Sequence, residues 1–365
     1  MKVGRAQILP RIALASAALA FLSAPDSARA QGCVAVRGAI APPGSSSGQP
    51  SAETGSGDWL LNVSYRWLQS DRHFRGDTEE RHRQKEGTEV INDSHFIDVS
   101  AIYSISPRFS AALVAPFVYS ERSSLYEHDR EHRHSSEACG IGDMRIAGYG
   151  WIREPSHDNL WNVNLGLGIK APTGDYEADD IFYTADGPER RNVDQSIQPG
   201  DGGWGVTAEV FGYAQIAPRL SAYFQGFYLS NPRDTNGAAT NRSNPYEADM
   251  SVPDQFSARA GLAFEILPSA GLAVGLGARI DGVPVRDLIG GSNGFRRPGF
   301  AVAVEPGIFW HRGDWAASVT VPVAVHRNRQ RSVADKRLTD DTGVYRHGDA
   351  AFADFFVSAS ITRRF

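Results

Sequence analysis

Twelve segments of this chain alternate between apolar and polar side chains, over approximately 58–68, 94–105, 108–120, 142–153, 160–171, 203–216, 219–229, 255–267, 269–281, 299–311, 314–326 and 351–365. A period of two marks a β-strand with one face in an apolar medium, because successive side chains leave a strand on opposite faces. The first segment reads Trp59, Leu61, Val63, Tyr65, Trp67 on one side, and the fifth Trp161, Val163, Leu165, Leu167, Ile169. The eleventh reads Trp315, Ala317, Val319, Val321, Val323, Val325. Apart from tyrosines, the ionisable residues on this face are His95 and Arg363, both near segment ends. The opposite face is small or polar and carries Arg66, Asp98, Arg145, Lys170, Glu209, Arg259, Glu265, Arg279, Glu305 and Asp354.

A soluble sandwich would bury the apolar face as its core. Two observations point instead to lipid. Aromatic residues gather at the ends of the apolar face, with Trp59, Tyr103, Phe109, Trp161, Trp310, Trp315 and Phe365 at one end. Trp67, Tyr119, Trp204, Tyr228, Phe256 and Phe300 fall at the other. Two aromatic girdles flanking an aliphatic band suit the two interfaces of a bilayer. The connections also alternate, with short turns such as Ser106-Pro107 and Arg312-Gly313 followed by long loops. That alternation is the pattern of short periplasmic turns and long extracellular loops.

Lipid then demands closure, since an open sheet edge would leave backbone groups unsatisfied at several kcal/mol each. The expected fold is all-β, a closed antiparallel transmembrane β-barrel of about twelve strands over residues 58–365. Arg363 can snorkel to headgroups, and the terminal Phe365 resembles the signal read by the barrel assembly machinery.

The start of the chain fits this destination. Lys2, Arg5 and Arg11 flank an apolar run that ends in small residues at Ala28 and Ala30. This is the layout of a signal peptide over residues 1–30, removed on export to the cell outer membrane. Residues 31–57, rich in Gly, Pro and Ser, read as a flexible periplasmic leader that can plug the lumen. Net charge is −5 without a Lys/Arg stripe, so nucleic acid is not an expected partner. Two cysteines, Cys33 and Cys139, exclude a disulfide-dense scaffold. A bond between them would pin the leader inside the barrel; two separate thiols is the alternative.

Three motifs stand in the middle of the chain: "GIGDMRIAGYGWI" (140–152), "LGLGIKAPTGDY" (165–176) and "IQPGDGGWG" (197–205). In that order they resemble the outer-membrane proteins of the MetA-pathway of phenol degradation family. The family more often has Gly-Thr-Gly-Ser where Gly200-Asp201-Gly202-Gly203 stands here. The resemblance implies a barrel and a transport role beside pathways for aromatic compounds. It supplies no catalytic residue and no cofactor. In physical terms Pro172 ends a strand, and Thr173-Gly174-Asp175 reads as turn chemistry.

The candidate chemistry is limited. His128, His132 and His134 in "EHDREHRH" offer imidazoles near carboxylates, but Arg122, Arg130 and Arg133 would oppose a cation. A solvated, mixed-charge surface is the expected state of these loops, in contact with lipopolysaccharide. An enzyme of the barrel-phospholipase type needs a lipid-facing Ser opposite a His at mid-wall, and His95 has none. The mixed charges of the inward face can pair across strands or line a path for a small solute. The expected function is passive uptake of small solutes, with aromatic compounds as a candidate class. The alternative is a barrel acting through its surface loops in a structural or adhesive role.

Overall fold

A computed structural model describes residues 55–156 and 158–365. The expected signal peptide, Cys33 and the expected leader before Gly55 lie outside the described residues.

Twelve antiparallel strands form the wall. They are β1 (Trp59–Ser70), β2 (Ile91–Ser104), β3 (Phe109–Ser124), β4 (His134–Ile141 and Arg145–Trp151) and β5 (Trp161–Lys170). Then come β6 (Gly205–Ala217), β7 (Leu220–Ser230), β8 (Gln255–Leu267), β9 (Leu272–Val283) and β10 (Gly299–Arg312). β11 (Trp315–Thr320 and Val323–Arg329) and β12 (Phe356–Arg364) complete the ring. Each pairs with its sequence neighbour, and β12 returns to β1 in register from Leu60↔Arg364 to Leu68↔Phe356. The seam extends to the last residue: the Phe365 N–H donates to the Trp59 carbonyl at 2.8 Å. The wall has no free edge, as backbone physics in hydrocarbon requires.

The apolar face of every strand points outward. Leu167, Ile146 and Val325 are 69%, 64% and 62% exposed, while polar residues at alternate positions are buried inside. Ser100, Asn162, Asn164 and Glu305 are among these. This inverts a soluble core, and a bilayer is the medium that covers such a surface. Aromatic pairs mark both rims, Trp59 with Tyr103 at 5.0 Å and Trp67 with Phe355 at 6.0 Å. Arg363 lies over the rings of Trp315 and Phe365 at 5.0 and 4.6 Å, at the rim where the short turns lie.

Three strands depart from the sequence reading. β4 begins at His134, earlier than the alternation suggests, and breaks at Gly142–Met144. β11 breaks at Val321-Pro322, where proline has no N–H for the ladder. β12 begins at Phe356, because Ala350–Phe352 joins a small sheet with Arg72–Arg75 and Thr78–Glu79 above the wall.

The long connections carry structure of their own. A hairpin (Asp179–Thr184 with Gly187–Asn192) occupies the β5–β6 connection, and another (Thr235–Ala239 with Asp249–Ser251) the β7–β8 connection. Helix α1 (His82–Glu86) lies between β1 and β2, and α2 (Val333–Thr342) between β11 and β12. A capping box starts α2: Ser332 Oγ accepts the Asp335 N–H, and Asp335 Oδ2 accepts the Ser332 N–H. No helix among the described residues is long and apolar enough to cross a membrane.

Candidate functional site

The inward faces of the strands enclose two chambers stacked along the barrel. The outer one, about 120 Å³, mixes apolar wall from Phe96, Val118, Phe227, Leu229 and Met250 with charged groups such as Asp143, Arg145, Lys170 and Arg297. The inner one, about 70 Å³, is polar, lined by Asn62, Ser64, Ser257, Ser318 and Ser360 among others. Arg66, Asp98 and Phe227 border both, so they form the waist between them. Arg66 lies 4.7 Å over the Phe96 ring, and Ser64 Oγ reaches Asp98 Oδ2 at 3.5 Å.

Charges along the wall are matched across strands. Arg145 on β4 pairs with Glu209 on β6, whose other oxygen accepts the Tyr149 hydroxyl at 3.2 Å. Glu305 on β10 is fully buried and bridges Arg259 on β8 at 3.2 Å and Arg279 on β9 at 3.3 Å. Arg279 also reaches Asp281 at 2.7 Å, and Arg259 donates to Gln225 at 2.9 Å. Strands one or two places apart supply opposite signs, so the pairs brace the wall. Among the described residues, Arg145 Nε and Nη2 have no hydrogen-bond partner, nor does the Tyr223 hydroxyl.

Two inward candidates sit elsewhere. Glu265 is near the short-turn end, where its backbone carbonyl accepts from Arg219 at 2.9 Å. Asp354 lies at the long-loop end and pairs with Arg72 and Arg327.

The three sequence motifs converge on one carboxylate. Asp143, in the break of β4, accepts the Gly174 N–H with one oxygen and the Asp201 N–H with the other, each at 3.0 Å. Lys170 stands 3.2 Å from Asp143 and also pairs with Asp201. Thr173 replaces the interrupted ladder: its hydroxyl donates to the Gly142 carbonyl at 2.9 Å and accepts the Met144 N–H at 2.8 Å. The backbones of Gly174 and Gly200 then touch, and a Cβ on Gly174 would stand 2.7 Å from Gly200 Cα. Glycine is required there for close approach rather than for backbone angle. The motifs therefore dock the β5–β6 connection into a notch of the wall.

That connection closes the outer mouth. Val193 and Ile197 are fully buried and pack with Ala138. Between them, Asp194 accepts two hydrogen bonds from Arg297 and meets Arg122 and Arg242. A second buried pair, Arg296 with Asp287 at 2.6 Å, joins the β9–β10 connection internally, and Arg296 also donates to Ser251 at 2.6 Å. The loops are thus not simply a solvated surface: Arg122 and Arg329 are 3% and 1% exposed. Folding the connections inward gives each arginine a carboxylate, carbonyl or hydroxyl partner.

Asp143 and Asp201 were visible within the motifs, whose fixed order is a signal. Nothing in the sequence marks Asp194 or Arg297, which lie 103 residues apart.

The remaining candidates lie outside the lumen. Cys139 is exposed on the outer face of β4, opposite Tyr119, so a bond to Cys33 would form outside the wall rather than within it. His95 is on the outward face, with Nε2 2.9 Å from Asp93 and Nδ1 2.8 Å from the Tyr65 hydroxyl. His128 and His132 belong to the β3–β4 connection, and His134 is the first residue of β4.

Comparison with known proteins agrees with this architecture. Residues 84–188 match the sequence model of the family described as the MetA-pathway of phenol degradation. The resemblance carried by the motifs at 140–152 and 165–176 therefore holds over this segment. Among solved structures, an outer membrane channel from Pseudomonas putida F1 superposes with a TM-score of 0.53 at 12% identity, over 87% of this chain and 98% of that one. The two share the barrel fold. A Pseudomonas aeruginosa FadL homologue aligns at a TM-score of 0.40 and 10% identity, over 92% of this chain and 99% of that one. No curated protein sequence matches the chain.

Proposed function

We propose that this barrel is a passive channel of the outer membrane for small solutes, with compounds about the size of one aromatic ring as the class that fits. The observation that carries this reading is the pair of chambers joined at the Arg66–Asp98–Phe227 waist. A cavity of ~150 Å³ has room for benzene, and the outer chamber, though lined by charged as well as apolar groups, is of similar size, about 120 Å³. Aromatic faces of Phe96 and Phe227 offer stacking surfaces, while Arg66 and Asp98 offer a polar edge at the waist. Polar atoms such as Arg145 Nη2 and the Tyr223 hydroxyl have water as their natural partner in a hydrated path. The phenol-degradation description of the matching family favours the same solute class. On this reading residues 1–30 direct export, residues 31–57 form a periplasmic leader, and 58–365 form the barrel.

Liposome swelling tests the reading with phenol, benzoate, glucose and a trisaccharide as solutes. Phenol and benzoate should enter fastest and the trisaccharide should be excluded. Failure of every solute to enter would refute transport. One observation favours a second reading, a non-conducting barrel that displays its loops: the buried Asp194–Arg297 pair ties two connections together across the outer mouth. Absence of flux even after the closure is broken would support that alternative.

A further inference from the structure

The β3–β4 connection and the first residue of β4 bring together three side chains that a channel does not use. Asp129, His132 and His134 each present a ligand atom, and the three atoms lie within 4.8 Å of one another. Asp129 Oδ2 is 3.0 Å from His134 Nε2 and 3.7 Å from His132 Nδ1. Ligand atoms bonded at ~2.0–2.2 Å to a tetrahedral zinc ion stand about 3.3–3.5 Å from each other. The trio is near that spacing already.

The backbone holds it there. Asp129 Oδ1 accepts the N–H groups of Glu131 and His132 at 2.8 and 2.9 Å, which fixes the carboxylate. Its Oδ2 is left facing the imidazoles. His134 is stacked on Tyr183 at 4.5 Å, whereas His132 is 75% exposed and can swing toward an ion. Two of the three arginines that should repel a cation are engaged elsewhere. Arg133 donates to the Gly87 carbonyl and to Glu89, and Arg122 binds Glu127.

His128 is not part of the set. Its Nδ1 accepts the Tyr183 N–H at 3.3 Å, so the neutral ring carries its proton on Nε2, and it packs on Phe182 at 4.9 Å.

We propose that Asp129, His132 and His134 form a surface site for a divalent transition metal of the zinc type, with one carboxylate, two imidazoles and a remaining position open to water. The site lies outside the lumen and does not depend on the transport reading.

Calorimetric titration of Zn²⁺ into the untagged, metal-stripped barrel in detergent tests this. One ion should bind per barrel, and His132→Gln, His134→Gln and Asp129→Asn should each weaken binding at least about tenfold, a loss of about 1.4 kcal/mol. Arg130→Ala, which removes a neighbouring positive charge in the same loop, should bind at least as tightly as the parent. His132 is largely exposed, so its substitution tests the site without threatening the fold. Heat-modified gel mobility checks that each variant remains a barrel. Cobalt(II) should give intense visible bands in the parent that weaken in His132→Gln. No saturable zinc binding, or equally tight binding by a His132→Gln/His134→Gln double variant, would overturn the proposal.

Discussion

Arg297 donates two hydrogen bonds to Asp194, at 2.8 and 2.7 Å, and so ties the β9–β10 connection to the β5–β6 connection across the outer mouth. Arg122 from β3 and Arg242 from the β7–β8 connection approach the same carboxylate at 3.6 Å. One largely buried anion thus holds three cations that arrive from three separate elements. Breaking a buried pair by removing one partner costs about 3–5 kcal/mol, because the other charge is left uncompensated. Asp194→Asn should therefore release the β5–β6 connection from the mouth. Planar-bilayer recording should show a larger open-state current than the parent, and an unchanged current would deny that this contact is a closure.

The same contact sets a pH expectation. Burial alone would raise the pKa of Asp194, but Arg122, Arg297 and Arg242 outweigh it and hold the carboxyl well below the ordinary range. For a depressed carboxylate, the stabilising contribution is present above the unfolded value, ~3.9, and is lost only as pH falls through the lower folded value. Acidification from pH 7 to pH 4 should leave the Asp194–Arg297 contact intact. Currents recorded over that interval should not rise, and opening near pH 5 would point to another group.

The wall charges make a selectivity prediction. Glu305 neutralises Arg259 and Arg279 at mid-barrel without any exposure of its own. Glu305→Gln should leave the lumen more positive and shift the reversal potential in a salt gradient toward anion preference. The barrel should also lose about 3–5 kcal/mol of stability, read as an earlier urea midpoint in vesicles. Retained selectivity in a folded variant would place the conduction path away from these residues.

The outward face makes a prediction about the medium. Leu167, at mid-strand in β5, is the most exposed of the large apolar residues on that strand at 69%. An arginine near the bilayer midplane of a barrel costs roughly 2–4 kcal/mol. Leu167→Arg should lower folding stability in lipid vesicles by that order, with a smaller loss for the same change at Trp161 near the rim. Equal losses at the two positions would contradict the orientation of the wall.

The wall was legible in the sequence because lipid enforces a strict rule on it. A slip of one residue would place Arg66 or Arg145 in hydrocarbon, so the alternation persists through Leu165, Leu167 and Ile169 and onward to Ile361. The strand ends were less legible. His134–Ile141 rises toward the long loops, where the bilayer no longer imposes the rule, and a notch at Gly142 depends on a partner loop 31 residues away. The closure was not legible at all. Asp194, Arg297 and Arg122 look like ordinary loop charges, and their meeting follows from how the connections fold inward. The motifs fall between these cases. Their glycines and Asp143 signal a special local geometry, but the contact between Gly174 and Gly200 is visible only in three dimensions.

Single-channel recording of the purified barrel in planar bilayers tests the central claim most directly. The parent should show small, discrete conductance steps that phenol interrupts reversibly from either side, and Asp194→Asn should show larger ones. A folded barrel that conducts no ions in either form, with phenol present or absent, would contradict the account.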